Sequence, residues 1–225
     1  MHDLRTIAGH FLPHRYHYHY ARSKLGSDPL YGGVADALRG STAPLLDLGC
    51  GIGLLAHALP RLGVDLGYVG VDNDQAKITS AREAAARAGR THARFDVVDL
   101  SRDFPDHRGS VAILDMLQFL TPDERSRLFQ RAAACLTPDS RLIIRTGMAD
   151  DSWRYRVTRG VDVFANAIRW MNALPKTYPT RDGLESELAT FGLRVTSSPL
   201  WGRTPFNNWL VVAAPVNAGV GSAVA

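Results

Sequence analysis

The sequence predicts an α/β domain built on a mainly parallel sheet flanked by helices. Short apolar runs at 45–48, 67–71, 94–98, 111–114 and 141–146 each read as a buried strand. Helix-period stretches alternate with them, among them one carrying Leu54, Leu55, Ala58, Leu59 and Leu62 on one stripe. The stretch Leu45 to Gly53, Leu-Leu-Asp-Leu-Gly-Cys-Gly-Ile-Gly, joins the first run to that helix through a glycine turn. Strand, glycine turn and helix together present backbone N–H groups and a helix N-terminus to a ligand.

The spacing of the glycines narrows the ligand. A dinucleotide fingerprint needs G-x-G-x-x-G, and counting from Gly49 and Gly51 its third glycine falls on Leu54. The phosphate-binding P-loop fails as well, because no Gly-Lys-Ser/Thr follows. Here Gly49, Gly51 and Gly53 form G-x-G-x-G, with Asp47 two residues before the first. This stretch resembles motif I of the class I S-adenosylmethionine-dependent methyltransferases, hydrophobic-Asp-x-Gly-x-Gly-x-Gly, and matches it completely. The resemblance extends to about Ala214. It implies a Rossmann-like sheet of seven strands in the order 3-2-1-4-5-7-6 with the last strand antiparallel. It also implies S-adenosylmethionine as cofactor, held in part by Asp47, Gly49, Cys50, Gly51 and Gly53.

Composition sets the frame. A chain of 225 residues with 45% hydrophobic and 21% charged residues suits one domain with a sizeable core. No run of eighteen apolar residues occurs, and the N-terminus lacks a signal-peptide pattern, so a cytoplasmic protein without a membrane span is expected. Cys50 and Cys135 make no disulfide framework. The formal net charge is +4, but the arginines are scattered and no run of five basic residues occurs, so a mildly basic surface and no nucleic-acid partner are expected.

In chain order, residues 1–26 crowd His14, Tyr16, His17, Tyr18, His19 and Tyr20 together. One reading is a metal site. His14 and His17 share a helical face but His19 does not, and no Cys or carboxylate lies within the cluster, so no metal is expected. A second reading is an amphipathic segment whose rings cover apolar surface. The third is a lid, with Tyr16, Tyr20 and Lys24 on one helical face; in the resembled family this segment often closes over cofactor and substrate. Residues 1–40 are expected to form this helical lid outside the core, and 41–215 the catalytic domain. Asp28 and Pro29 are expected to open a helix to Arg39, with Asp28 as N-cap. His57 lies opposite the apolar stripe of its helix and is expected to be a solvated surface residue.

The second strand ends in Val-Asp-Asn-Asp. Asp72 lies a little over twenty residues past Gly49, where a strand-end carboxylate can accept from both ribose hydroxyls. That spacing serves NAD and S-adenosylmethionine alike. Asp74 is placed to cap the following helix, and Asn73 lies between them. After the third strand come Asp99 and Leu100. The resemblance implies adenine contacts for this pair, while on sequence alone Asp99 reads equally as a turn residue. The fourth strand leads into Asp115, Met116, Leu117 and Gln118, where the family's backbone receives the methionine part of the cofactor. The Asn/Asp-Pro-Pro-Tyr/Phe motif common among enzymes that methylate nucleobase or amide nitrogens is absent, which counts against those acceptors. Thr121 to Glu124 form a capping box with Pro122 at the first helical position.

Residues 150–179 stand where a substrate-recognition insertion would lie, with Trp153, Arg154, Tyr155, Arg156 and Arg159 followed by a helical stripe over 161–174. A helix over 180–191 and strands at 193–196 and 208–214 complete the domain, and 216–225 are expected to be disordered. The activity implied by the resemblance is methyl transfer from S-adenosylmethionine to a small molecule. A loose similarity of the aromatic N-terminus to enzymes of bacterial aryl-polyene and pigment pathways points to an aromatic or polyketide-like acceptor. Tyr16, His17, Tyr20 and Gln118 are placed to act near the acceptor, with Lys24 and Trp153 as further candidate contacts. None is assigned as a general base, and the oligomeric state is left open. The rival classes are an NAD-dependent oxidoreductase and a non-catalytic S-adenosylmethionine-binding module. Leu54 and Asp47 stand against the first, and the full set of cofactor residues against the second.

Overall fold

The computed structural model describes residues 2–158, 160 and 177–216. Three helices come first, α1 (His2–Gly9), α2 (Arg15–Ser27) and α3 (Leu30–Leu38). The alternating unit follows as β1 (Leu45–Leu48), α4 (Leu54–Arg61), β2 (Tyr68–Asp72), α5 (Gln75–Arg87), β3 (Ala93–Val97), β4 (Ser110–Leu114), α6 (Pro122–Cys135) and β5 (Leu142–Gly147). The chain closes with α7 (Arg181–Ala189), β6 (Leu193–Pro199) and β7 (Asn208–Pro215). The stripe expected over 161–174, Arg159 and residues 217–225 lie outside the described residues.

The seven strands form one sheet in the order β3-β2-β1-β4-β5-β7-β6, the order implied by the resemblance. Neighbours from β3 to β5 are parallel, while β7 runs antiparallel to both β5 and β6. Parallel strands require crossovers, and these place helices on both faces. The strands accordingly bury both sides. On β1, Leu45 packs with α3, α4 and α5, and Leu46 and Leu48 pack with α6 and α7. All strand C-termini from β1 to β5 therefore share one edge, and the glycine turn lies on it.

Local chemistry sets the helix starts. The Asp74 carboxylate accepts from the Ala76 and Lys77 N–H groups at the start of α5. Thr121 and Glu124 make the reciprocal capping box on α6, and Thr180 accepts from Gly183 N–H at α7.

The N-terminal region departs from expectation in three ways. First, α3 begins at Leu30 and Pro29 precedes it with helical backbone angles. Asp28 still receives the Leu30 N–H at 3.0 Å, but its other oxygen is held by Lys24 and Arg145. Second, the segment is not outside the core: Ile7, Ala8, Phe11 and Ala21 are buried in the same cluster as Val34, Leu38, Leu55 and Leu59. Those apolar residues need cover, and the faces of α3 and α4 supply it. Third, His57 is buried rather than solvated, with its ring 5.4 Å from Phe11 and 5.6 Å from His10. The α1 segment folds back over the side of α4 that the local pattern leaves open. Burial, with smaller contributions from His10 and Arg90, pushes the His57 pKa down to about 4.

Candidate active site

The glycine turn is shaped by what lies under it. Gly49, Gly51 and Gly53 have φ of 75°, 57° and 75°, left-handed values that other residues adopt only at a cost. The Gly49 and Cys50 N–H groups both donate to the Val71 carbonyl, at 2.8 and 2.9 Å, so the turn is laid directly against β2. A Cβ on Gly70 in β2 would lie 2.8 Å from Cys50 Sγ, and one on Gly53 would lie 2.5 Å from Phe95 Cε1. Gly70 and Gly53 thus let the turn and the start of α4 close onto the sheet, with Phe95 of β3 filling the space between them. On the other side a Cβ at Gly51 would meet nothing within 4 Å, so the turn is open there.

Asp72, at the end of β2, accepts from Gly51 N–H at 2.9 Å through Oδ2 and from Asp74 N–H at 3.0 Å through Oδ1. It is half-buried, and each oxygen keeps a further lone pair for a ligand hydroxyl. Asn73 beside it is exposed. The open turn and the adjacent carboxylate fit an adenosine-bearing cofactor. Asp47 is placed differently. It is 2% exposed, in the middle of the buried sheet, where Oδ2 accepts from the Tyr68 hydroxyl and Oδ1 has no partner. Asp47 therefore supports the turn from below. Burial raises its carboxyl to about 7; the Tyr68 hydrogen bond opposes that rise and the Asp72 charge adds to it. Cys50 is a free thiol whose pKa burial pushes far above the ordinary range, so it is no nucleophile.

Asp99 is exposed and caps its own turn, its Oδ1 accepting from Ser101 N–H at 3.0 Å and Ser101 Oγ at 2.7 Å. Leu100 packs half-buried against the α6 face of the sheet.

Across the edge, β4 is followed by Asp115, the non-glycine residue with positive φ among the described residues, at 58°. Arg145 of β5 donates from Nη1 to Asp115 Oδ2 at 2.6 Å and to Asp28 Oδ2 at 3.1 Å. Lys24 of α2 donates to Asp28 Oδ2 at 2.8 Å and stands 3.9 Å from Asp115 Oδ2. Burial disfavours the charges on Asp28 and Lys24, but their partners outweigh it, so the carboxyl is held below and the ammonium above its usual value. Burial raises the Tyr20 phenol in the same cluster. Tyr20 and Tyr16 stack at 6.4 Å on α2, and Tyr16 is exposed. His17 Nδ1 lies 2.8 Å from Ser80 Oγ of α5. Gln118 is buried, donating from Nε2 to the Asp115 carbonyl at 3.0 Å, with Oε1 unpartnered. Helix α2 thus runs along the open edge, tied to α5 near one end and to β4 and β5 near the other. Trp153 is exposed, and Arg154 lies between its ring and that of Trp201, at 4.8 and 4.7 Å.

The structure therefore gathers Gly49, Gly51, Gly53 and Asp72 on one side of the edge. Tyr20, Lys24, Asp115 and Gln118 meet on the other. The sequence reading missed Tyr68, Gly70, Phe95 and Arg145. A glycine inside a strand and a lone arginine in Leu-Ile-Ile-Arg-Thr were the available signals.

Residues 45–139 match the family model of the methyltransferase domain. Over 121 residues the chain is 34% identical to a ribosomal protein L11 methyltransferase of Xylella fastidiosa, covering 54% of this chain and 34% of that one. Among solved structures, the mitomycin 7-O-methyltransferase MmcR superposes with a TM-score of 0.67 at 21% identity, over 88% of this chain and 56% of that one. Magnesium protoporphyrin IX methyltransferase from Synechocystis, with bound S-adenosylhomocysteine, gives 0.62 at 18% identity, over 83% and 82%. The chain thus carries a methyltransferase domain over residues 45–139 and shares the fold of these solved methyltransferases. It spans about a third of the length of the curated relative it matches.

Proposed function

We propose that this protein transfers a methyl group from S-adenosylmethionine to a small-molecule nucleophile. One observation carries the reading: a left-handed glycine turn, open on its outer side, is bonded to the strand-end carboxylate of Asp72 through Gly51 N–H at 2.9 Å. Gly49, Gly51 and Gly53 would admit the cofactor close to the backbone, and Asp72 would take the ribose hydroxyls. Asn73, Asp99 and Leu100 would border the adenosine, and Asp115 the methionine part. When bound, S-adenosylmethionine supplies an electrophilic methyl carbon on its sulfonium.

The chain then has to align a nucleophile and exclude water. Helix α2, packed on the core along the open edge, lies where it can do both, with Tyr16, Tyr20 and Lys24 bordering the acceptor. The exposed rings of Tyr16 and Trp153, with the Tyr155–Tyr178 pair in edge contact at 5.5 Å, favour an aromatic or polyketide-like acceptor. Titration calorimetry tests the reading. S-adenosylmethionine and S-adenosylhomocysteine should bind, and NAD should not. Binding of NAD without S-adenosylmethionine would overturn it.

A further inference from the structure

Of the buried charge cluster at the C-terminal end of β5 only Asp115 enters the cofactor assignment above, yet the cluster joins three elements. Arg145 is 3% exposed on a strand that is otherwise apolar or neutral, among Leu142, Ile143 and Ile144. A buried guanidinium in that place is costly unless opposite charges offset it, and Nε of this one has no partner. Its pairing is with two carboxylates on separate elements: Asp28, between α2 and α3, and Asp115, at the end of β4. Lys24 reaches the same two carboxylates from α2. Two cations and two anions balance, so the cluster carries no net charge. Its ties run in two directions. One holds the C-terminal end of α2 down onto the sheet edge. The other holds the carboxylate of Asp115, whose φ is 58°.

We propose that Arg145 is a positioning residue of the cofactor site: by bridging Asp28 and Asp115 it latches α2 across the strand ends and sets Asp115 at the mouth of the cleft. Both bonds of the bridge leave one nitrogen, Arg145 Nη1, which thus holds the two carboxylates close together. The second anchor of α2, His17 on Ser80, lies at the opposite end, so cutting the latch frees one end of the helix and leaves the other attached.

The inference rests on the cofactor reading only for the binding arm of its test. In amide hydrogen exchange on the full chain, Asp28→Asn and Arg145→Met should each speed exchange in α2 by about tenfold or more, while peptides from β1 and α4 keep their native rates. Calorimetric affinity for S-adenosylhomocysteine should fall about tenfold in Arg145→Met and less in Arg145→Lys. If α2 exchange stays native in Asp28→Asn, or rises only in step with β1 and α4, the cluster is ordinary core and the latch is wrong. Should Arg145→Met not fold, Asp28→Asn decides by the same criterion. If the native protein binds no S-adenosylhomocysteine, the cofactor reading fails, and the exchange arm still judges the latch.

Discussion

Asp47→Asn isolates a buried carboxyl whose titration runs against the usual direction. Asp47 is 2% exposed, and burial raises its carboxyl from 3.8 to about 7. An acid with a folded pKa above its unfolded one holds its proton more tightly in the native state. Its contribution is therefore fully present below the unfolded value and is lost as pH rises through the folded one. The window runs from about pH 4 to about pH 7, and a shift of about three units corresponds to about 4 kcal/mol over the whole of it. Between pH 5 and pH 8 the loss is about 2–3 kcal/mol, because part of the window lies below pH 5. Asparagine keeps an oxygen for the Tyr68 hydroxyl and removes the titration. Its amide nitrogen would take the place of an oxygen that already lacks a partner, a cost of about 1–3 kcal/mol that does not vary with pH. Urea unfolding of both proteins at pH 5, 6, 7 and 8, at one ionic strength, gives the difference in stability. That difference should move in the variant's favour by about 2–3 kcal/mol across the series. A difference flat to within about 0.5 kcal/mol would show that Asp47 is ionised throughout and that Tyr68 and its surroundings solvate the charge.

Asp72→Ala should weaken S-adenosylhomocysteine binding by about 2–3 kcal/mol in calorimetry, since a charged acceptor is lost and the turn loses its Gly51 anchor; an unchanged dissociation constant would remove Asp72 from the ribose site. Gly53→Ala should destabilise the fold by about 2–4 kcal/mol in urea, because φ is 75° and the new methyl would lie 2.5 Å from Phe95, and a loss below 1 kcal/mol would mean that the Phe95 ring moves aside freely. Trp153→Ala should leave melting temperature and S-adenosylhomocysteine affinity nearly unchanged, the ring being 54% exposed, while raising the acceptor's apparent KM; a parallel loss of cofactor affinity would place the ring in the cofactor site instead.

The parts of the fold that sequence made legible are those fixed by neighbours along the chain. Strand, turn and helix at Leu45–Arg61 follow from glycine spacing and apolar period, and the caps at Asp74 and Thr121 from residue type alone. The place of Asp72 beside the turn was readable because it depends on distance along one strand–helix–strand unit. His57 was misread because the group that covers it, Phe11, lies more than forty residues away on a helix that local pattern gives no reason to fold back. Asp28 was legible as a helix-start residue and illegible as the partner of Arg145, 117 residues on.

That contrast separates two kinds of information in the site. The cofactor side is written in a continuous motif, because a tight turn over a strand end needs glycines at fixed intervals and leaves few alternatives. The side proposed for the acceptor is assembled from α2, the end of β4, β5 and the segment after it, and each contributes one or two polar groups whose meaning depends on the others. Arg145 on its own is an odd residue in an apolar strand. With Asp28 and Asp115 brought to it by the sheet order, it becomes the point where the first helices are joined to the cleft. On the proposed reading, changes in α2 and its anchors alter the acceptor and the grip on the methyl donor together, even where the glycine turn is kept.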